Sequence, residues 1–265
     1  MKASLVSLRQ TDVQLREVYG ENPGCRSDAK KSEAHQVAGR FVIADGTLEA
    51  LKWLALVLMV FDHVNKYFYA EQLPGIFALG RIVMPLFGFV LAYNLARPSA
   101  LERGVHRRMM ARLALMGLIA SPFVIALNGS VVAHNPWWPL NILFTLLMVV
   151  TLVYLMERGG VARYSLAVAL FMVGGAVVEY LWFGLIACLG AWMFCRKASS
   201  ERLLLWFLGT LSLSVVNGNA WALLAIPLAW VASRVTLRLP RSKWLFYVFY
   251  PAHLAILLGA EFLIQ

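Results

Sequence analysis

The sequence predicts an all-α, polytopic membrane helix bundle of about nine transmembrane helices, with eight as the alternative count. Three observations predict it. Of 265 residues, 60% are hydrophobic and 14% charged, where soluble domains run about 45–50% and about 25%. The mean hydropathy is +0.69, and uncharged runs extend over 113–156, 164–178, 180–195, 203–233 and 244–260. Basic residues recur in alternate loops between those runs. A water-soluble globule cannot hide so much apolar surface, and a disordered chain does not contain it.

Residues 1–47 hold seven basic and six acidic residues and read as a polar cytoplasmic tail; 48–265 read as the membrane domain. No basic n-region and short apolar stretch open the chain, so no cleaved signal peptide is expected. A spanning helix needs about 20 mostly apolar residues. The predicted spans are 48–68, 76–96, 109–127, 137–156, 164–178, 180–195, 203–216, 220–233 and 244–260. A re-entrant pair over 164–195 would reduce nine to eight. The two longest uncharged runs turn at Asn128-Gly129-Ser130 through His134-Asn135-Pro136 and at Asn217-Gly218-Asn219, where turn-forming residues cluster. Cys188 and Cys195 share a helix face and read as buried packing, and Cys25 in the tail reads as a reduced thiol.

Orientation follows from the loops. Arg97, Arg103, Arg107 and Arg108 lie between spans two and three, and Arg158 and Arg163 between four and five. Arg196, Lys197 and Arg202 follow span six; Arg234, Arg238, Arg241 and Lys243 follow span eight. The alternate loops contain no Lys or Arg. Positive loops stay cytoplasmic, so the tail is expected inside and the C-terminus outside. The net charge of +10 therefore reads as a topology signal with lipid headgroups as partners, not as a nucleic-acid surface. Trp137, Trp138, Trp182, Trp221 and Trp244 read as interfacial anchors.

Few polar residues remain inside the spans: Lys52, Asp62, His63, Lys66, Arg81, Asn141, Thr145 and His253, with Glu179 at the outer boundary. Intramembrane ionisable groups cost about 2.5–3.5 kcal/mol each on insertion scales and mark sites by default. At a rise of about 1.5 Å per residue, they converge on the middle-to-outer half of the membrane. Plainer roles stand beside that reading. Asp62 could be a structural ion pair with Arg81 or Lys66, and His63 a satisfied core histidine. His253 could bond a carbonyl freed by Pro251. Asn141 and Thr145 could join neighbouring helices, and Glu179 could be a solvated loop charge. No phosphate-binding Gly loop, paired-Cys motif, H-E-x-x-H or G-x-S-x-G is present, and no metal is expected.

Several blocks resemble the TraX family, the inner-membrane acetylases of conjugative pilins. They are Leu51-Lys52-Trp53-Leu54-Ala55 through Met59, ending in Asp62-His63, and Gly80-Arg81-Ile82-Val83-Met84-Pro85-Leu86-Phe87-Gly88-Phe89. Ser121-Pro122-Phe123, Leu140-Asn141-Ile142-Leu143-Phe144-Thr145, Glu179-Tyr180 with Phe183-Gly184, and Phe249-Tyr250-Pro251-Ala252-His253-Leu254 complete the set. The blocks fall in family order over about residues 48–258. The tail has no counterpart, and Tyr93-Asn94 departs from the small or acidic pair expected there.

The resemblance implies acetyl transfer from acetyl-CoA to the N-terminal amine of a pilin subunit in the bacterial inner membrane. On that reading Arg107, Arg108 and Arg112 bind the nucleotide phosphates. His63, oriented by Asp62, is the first choice of base. His253 is the alternative base or polarises the acetyl carbonyl. Arg81, Asn141 or Thr145 supply donors to the oxyanion, and Glu179 joins the substrate-binding set. Direct transfer and an acetyl-histidine both remain open. O-acetylation of a glycan or lipid is the alternative enzyme; a proton-linked transporter or structural part of the conjugation apparatus is the alternative class.

Overall fold

The computed structural model describes residues 39–131, 135–242 and 244–264; most of the predicted tail, Cys25, His134 and Lys243 lie outside them. α1 (Asp45–Phe68) is the first leg, and α2 (Pro74–Gly80) with α3 (Val83–Leu95) is the second. α4 (Val105–Val131), α5 (Ile142–Arg158), α6 (Val161–Val177) and α7 (Leu181–Arg196) follow singly. α8 (Ser200–Ser212) continues into α9 (Ser214–Asn217), and a 3-10 turn at Trp221–Leu224 leads into α10 (Ala225–Arg234). α11 (Leu245–Ile264) is last. Among the described residues there is no strand, only an isolated bridge between Leu140 and Val178. The fold is an all-α bundle.

Among the described residues, nine helical legs occupy the nine predicted places. Three of them, Pro74–Leu95, Val105–Gly129 and Leu245–Ile264, are long and apolar enough to cross a membrane. α1 has 24 residues, a length of about 36 Å, but it carries Lys52, Asp62 and Lys66. α6 and α7 have 17 and 16 residues, about 25 Å each.

Local chemistry explains where the legs break. Pro85 has no N–H to give the carbonyl of Arg81, so the second leg opens between Gly80 and Val83. The fourth leg starts at Ile142 rather than 137. Pro136 and Pro139 interrupt the approach, and the side chain of Asn141 accepts from the Leu143 amide as an N-cap (3.1 Å). The turn predicted at Asn217-Gly218-Asn219 is present, with Gly218 at φ +68°. The other predicted turn begins later, because α4 runs on to Val131.

The compact unit spans Phe41–Gln265, so packing begins ahead of the expected boundary at residue 48. Phe41 lies against the rings of Phe89, Phe194 and Trp230. The Tyr93 hydroxyl accepts from the Ile43 amide (2.9 Å) and donates to its carbonyl (3.0 Å). Tyr93 thus has a packing role in this chain. α7 and α8 meet through small residues: a Cβ on Gly190 would stand 2.9 Å from Trp206 Cα, and one on Gly209 3.0 Å from the Ile186 carbonyl oxygen. Cys188 and Cys195 are both buried on α7.

The basic loops gather at one end. Arg97 pairs with Asp45, and Glu157 reaches His106 (3.2 Å) and Arg196 (3.5 Å). The Thr47 hydroxyl donates to the Val235 carbonyl (2.8 Å) and accepts from the Leu237 amide (3.1 Å). At the opposite end, Asn65 exchanges two hydrogen bonds with the Leu73 backbone. The loops there carry no Lys or Arg.

Candidate functional site

α1 repeats one face at helical spacing: Lys52, Leu56, Met59, His63. The first three line a cavity of about 450 Å³ whose other walls come from α3, α4, α5 and α11. α11 behaves alike, since Phe246, Tyr247 and Tyr250 line the cavity and His253 follows one turn on. The two faces converge past the lining. His63 Nδ1 and His253 Nε2 stand 2.8 Å apart with their rings 12° from parallel. Tyr250 separates this pair from the cavity, its ring centroid 5.4 Å from that of His253 and 6.5 Å from that of His63.

The acidic partner expected for His63 lies elsewhere. Asp62 Oδ1 accepts from Arg81 Nη2 at 2.8 Å, and the pair is mostly buried, each side chain 14% exposed. Consecutive helical residues point about 100° apart, so Asp62 and His63 serve different neighbours. The His63 ring bonds His253, and Asp62 bonds Arg81. Arg81 stands in the break that Pro85 opens, with its guanidinium 4.4 Å from the Phe77 ring centroid. Its Nε is buried and has no hydrogen-bond partner among the described residues. Lys66, one turn beyond, donates to Asn128 Oδ1 (3.3 Å).

Other expected donors are committed to the scaffold. Asn141 Nδ2 donates to the Gly117 carbonyl (3.1 Å) and to Ser121 Oγ (3.3 Å). The Thr145 hydroxyl donates to the Glu179 carbonyl (2.8 Å), and the Glu179 amide donates to the Leu140 carbonyl (2.9 Å). Asn141 and Thr145 therefore join neighbouring segments, which is their plainer role. Glu179 is half-buried in the turn between α6 and α7, close enough to Lys66, Asp62 and Arg81 to interact with their charges. His253 Nδ1 bonds the Phe249 carbonyl (3.0 Å), whereas the carbonyl that Pro251 releases belongs to Tyr247.

One end of the cavity is cationic. Of the three arginines named for the nucleotide phosphates, Arg108 and Arg112 line it and Arg107 lies outside the lining. Lys52, Arg97, Arg103 and Arg241 line it as well. Lys52 is held by Glu49 (2.6 Å) and Arg97 by Asp45. Arg103, Arg108, Arg112 and Arg241 have no carboxylate partner among the described residues. Arg112 lies over the rings of Trp244 and Tyr247, at 4.4 and 5.7 Å. In the sequence Arg103 and Arg241 register as orientation charges, and the signal that singles out Tyr250 is its place one turn before His253.

Comparisons with known proteins identify relatives. The family described as TraX protein matches residues 47–261. A protein of Escherichia coli named Protein TraX is 30% identical over 232 residues, covering 82% of this chain and 88% of the relative. A second Protein TraX, from Escherichia coli strain K12, is 27% identical over 230 residues with the same coverage. No solved structure matches.

Proposed function

The chain belongs to the TraX family, and from that premise we propose that it is a membrane-embedded acetyltransferase of conjugation. It moves an acetyl group from cytoplasmic acetyl-CoA to the N-terminal amine of a pilin subunit in the bacterial inner membrane. One observation carries this reading. One cavity runs from an arginine-lined end along two helix faces to Tyr250, one ring short of a histidine pair.

The chemistry of CoA fits that gradient. Its diphosphate and ribose phosphate suit Arg103, Arg108, Arg112 and Arg241, because guanidinium forks bind phosphate oxygens with strong charge-assisted hydrogen bonds. Its pantetheine arm is slender and less polar, like the deeper lining of Leu56, Met59, Val90, Leu113 and Leu146. The volume falls within the roughly 300–1,000 Å³ of small-molecule sites. The reaction then needs a base for the amine and a donor for the thioester oxygen. His63 and His253 are the titratable pair nearest the cavity floor. Arg81, with its unpartnered Nε–H, is the donor left over once Asn141 and Thr145 are committed to the scaffold. Asp62 holds Arg81, and Glu179 adds a second carboxylate that would attract a positively charged N-terminal amine.

The test is direct. The purified full-length chain in lipid vesicles is given acetyl-CoA and a synthetic pilin N-terminal peptide, followed by intact mass. One added acetyl group per peptide is expected, with KM for acetyl-CoA raised about tenfold or more in Arg108→Ala/Arg112→Ala. Acetyl-CoA consumed only with a sugar or lipid acceptor reassigns the acceptor, and no acetyl-CoA binding at all refutes the enzyme.

A further inference from the structure

The histidine pair has a direction. The Phe249 carbonyl can only accept, so the atom facing it at 3.0 Å, His253 Nδ1, carries a hydrogen. A neutral imidazole has one N–H, which leaves His253 Nε2 with its lone pair. The atom 2.8 Å from that lone pair is His63 Nδ1, so it must be the donor. His63 is therefore the Nδ1–H tautomer, and its lone pair sits on Nε2. No hydrogen bond occupies His63 Nε2 among the described residues. The reverse direction would need a second proton on His253, a charge in a site 5% exposed and packed between Phe249, Tyr250 and Leu254.

Ring packing holds the arrangement. Phe249, His253 and His63 form a near-parallel stack, with interplanar angles of 15° and 12° and centroid spacings of 5.4 and 5.0 Å. His253 is the buried member and His63 the half-buried one.

We infer that His253 is a positioning residue: it fixes His63 as the Nδ1–H tautomer, so that His63 Nε2 is the base for the acceptor amine. The inference rests on the acetyltransferase reading above. The acceptor's ammonium first releases one proton to water; the neutral amine nitrogen then attacks the acetyl carbonyl, the C–N bond forms and the C–S bond breaks. The proton lost by nitrogen passes to His63 Nε2 and then to the CoA sulfur, which leaves as the thiol. Throughout, the Nδ1–H of His63 keeps donating to His253 Nε2, which steadies the transient imidazolium.

Two variants and one spectrum test it. In His253→Leu the acceptor for His63 Nδ1–H is gone, and kcat should fall on the order of a hundredfold with KM for acetyl-CoA unchanged. In His253→Gln the amide oxygen can accept the same hydrogen, and most of kcat should return. Imidazole 15N chemical shifts of the wild-type chain, assigned by loss of the His63 signal in His63→Gln, should report His63 as the Nδ1–H tautomer. Equal loss in both variants, or an Nε2–H tautomer in the wild type, overturns the assignment. If the wild type transfers no acetyl group, the proposed function fails, while the spectrum still decides the direction of the pair.

Discussion

A Cβ on Gly80 would stand 1.9 Å from Asp62 Oδ1, far inside contact distance. The ion pair with Arg81 therefore depends on a residue with no side chain. Gly80→Ala must push the carboxylate aside and leave both charges poorly compensated. Separating one partner from a buried pair costs about 3–5 kcal/mol, and the 14% exposure of each side chain favours the lower end. Gly80→Ala should therefore lower the thermal unfolding midpoint of the purified protein, as should Asp62→Asn. The double variant should be scarcely worse than either single one, because both remove the same interaction; strictly additive losses would mean that Gly80 acts elsewhere. Asp62 and Arg81 are legible in the sequence as lone charges in apolar runs. Their choice of each other over Lys66 is less so, since it depends on a gap at Gly80 that exists only once α1 and α2 are packed. His63 and His253 are 190 residues apart, and no local pattern announces that α1 and α11 bring them together.

Breaks between helices carry as much of the site as the helices do. Arg81 lies in the opening between α2 and α3, and the cause is one residue, Pro85, four positions on. Restoring a backbone N–H with Pro85→Ala allows the helix to run through Arg81 and Ile82 and turns the guanidinium away from Asp62. The unfolding midpoint should change little, because the regained backbone hydrogen bond and smoother helix offset part of the loss of the Asp62–Arg81 pair. Acetyl transfer should nevertheless fall about tenfold or more, since small misplacements of an orienting group cost that much. Unchanged transfer with an unchanged unfolding midpoint would remove Arg81 from the machinery. Helix existence was legible from length and apolarity, and the Gly218 turn from its Asn-Gly-Asn context. The start of α5 was not, because Asn141 reads equally as a ligand and as a cap until Gly117, Ser121 and the Leu143 amide are seen around it.

At the scale of the molecule, the function depends on which end of the bundle meets the cytoplasm. The arginine mouth of the cavity shares its end with Asp45, Glu157, Arg196 and the loop after α10. Acetyl-CoA is a cytoplasmic metabolite, so this end must face inward for the proposed reaction to run, and the excess of Lys and Arg in its loops predicts that it does. Two variants decide it, each with one exposed cysteine added in a Cys25→Ser background that keeps the buried Cys188 and Cys195. Ala220→Cys sits in an exposed turn at the opposite end and should react with a membrane-impermeant maleimide in intact cells. Ala198→Cys, exposed between α7 and α8 at the arginine end, should react only after the membrane is opened. The reversed pattern would put the cavity mouth outside, away from acetyl-CoA. It would leave the helix bundle and its histidine pair intact while removing the donor from the reaction, so orientation alone can refute the enzyme without disturbing a residue of the site.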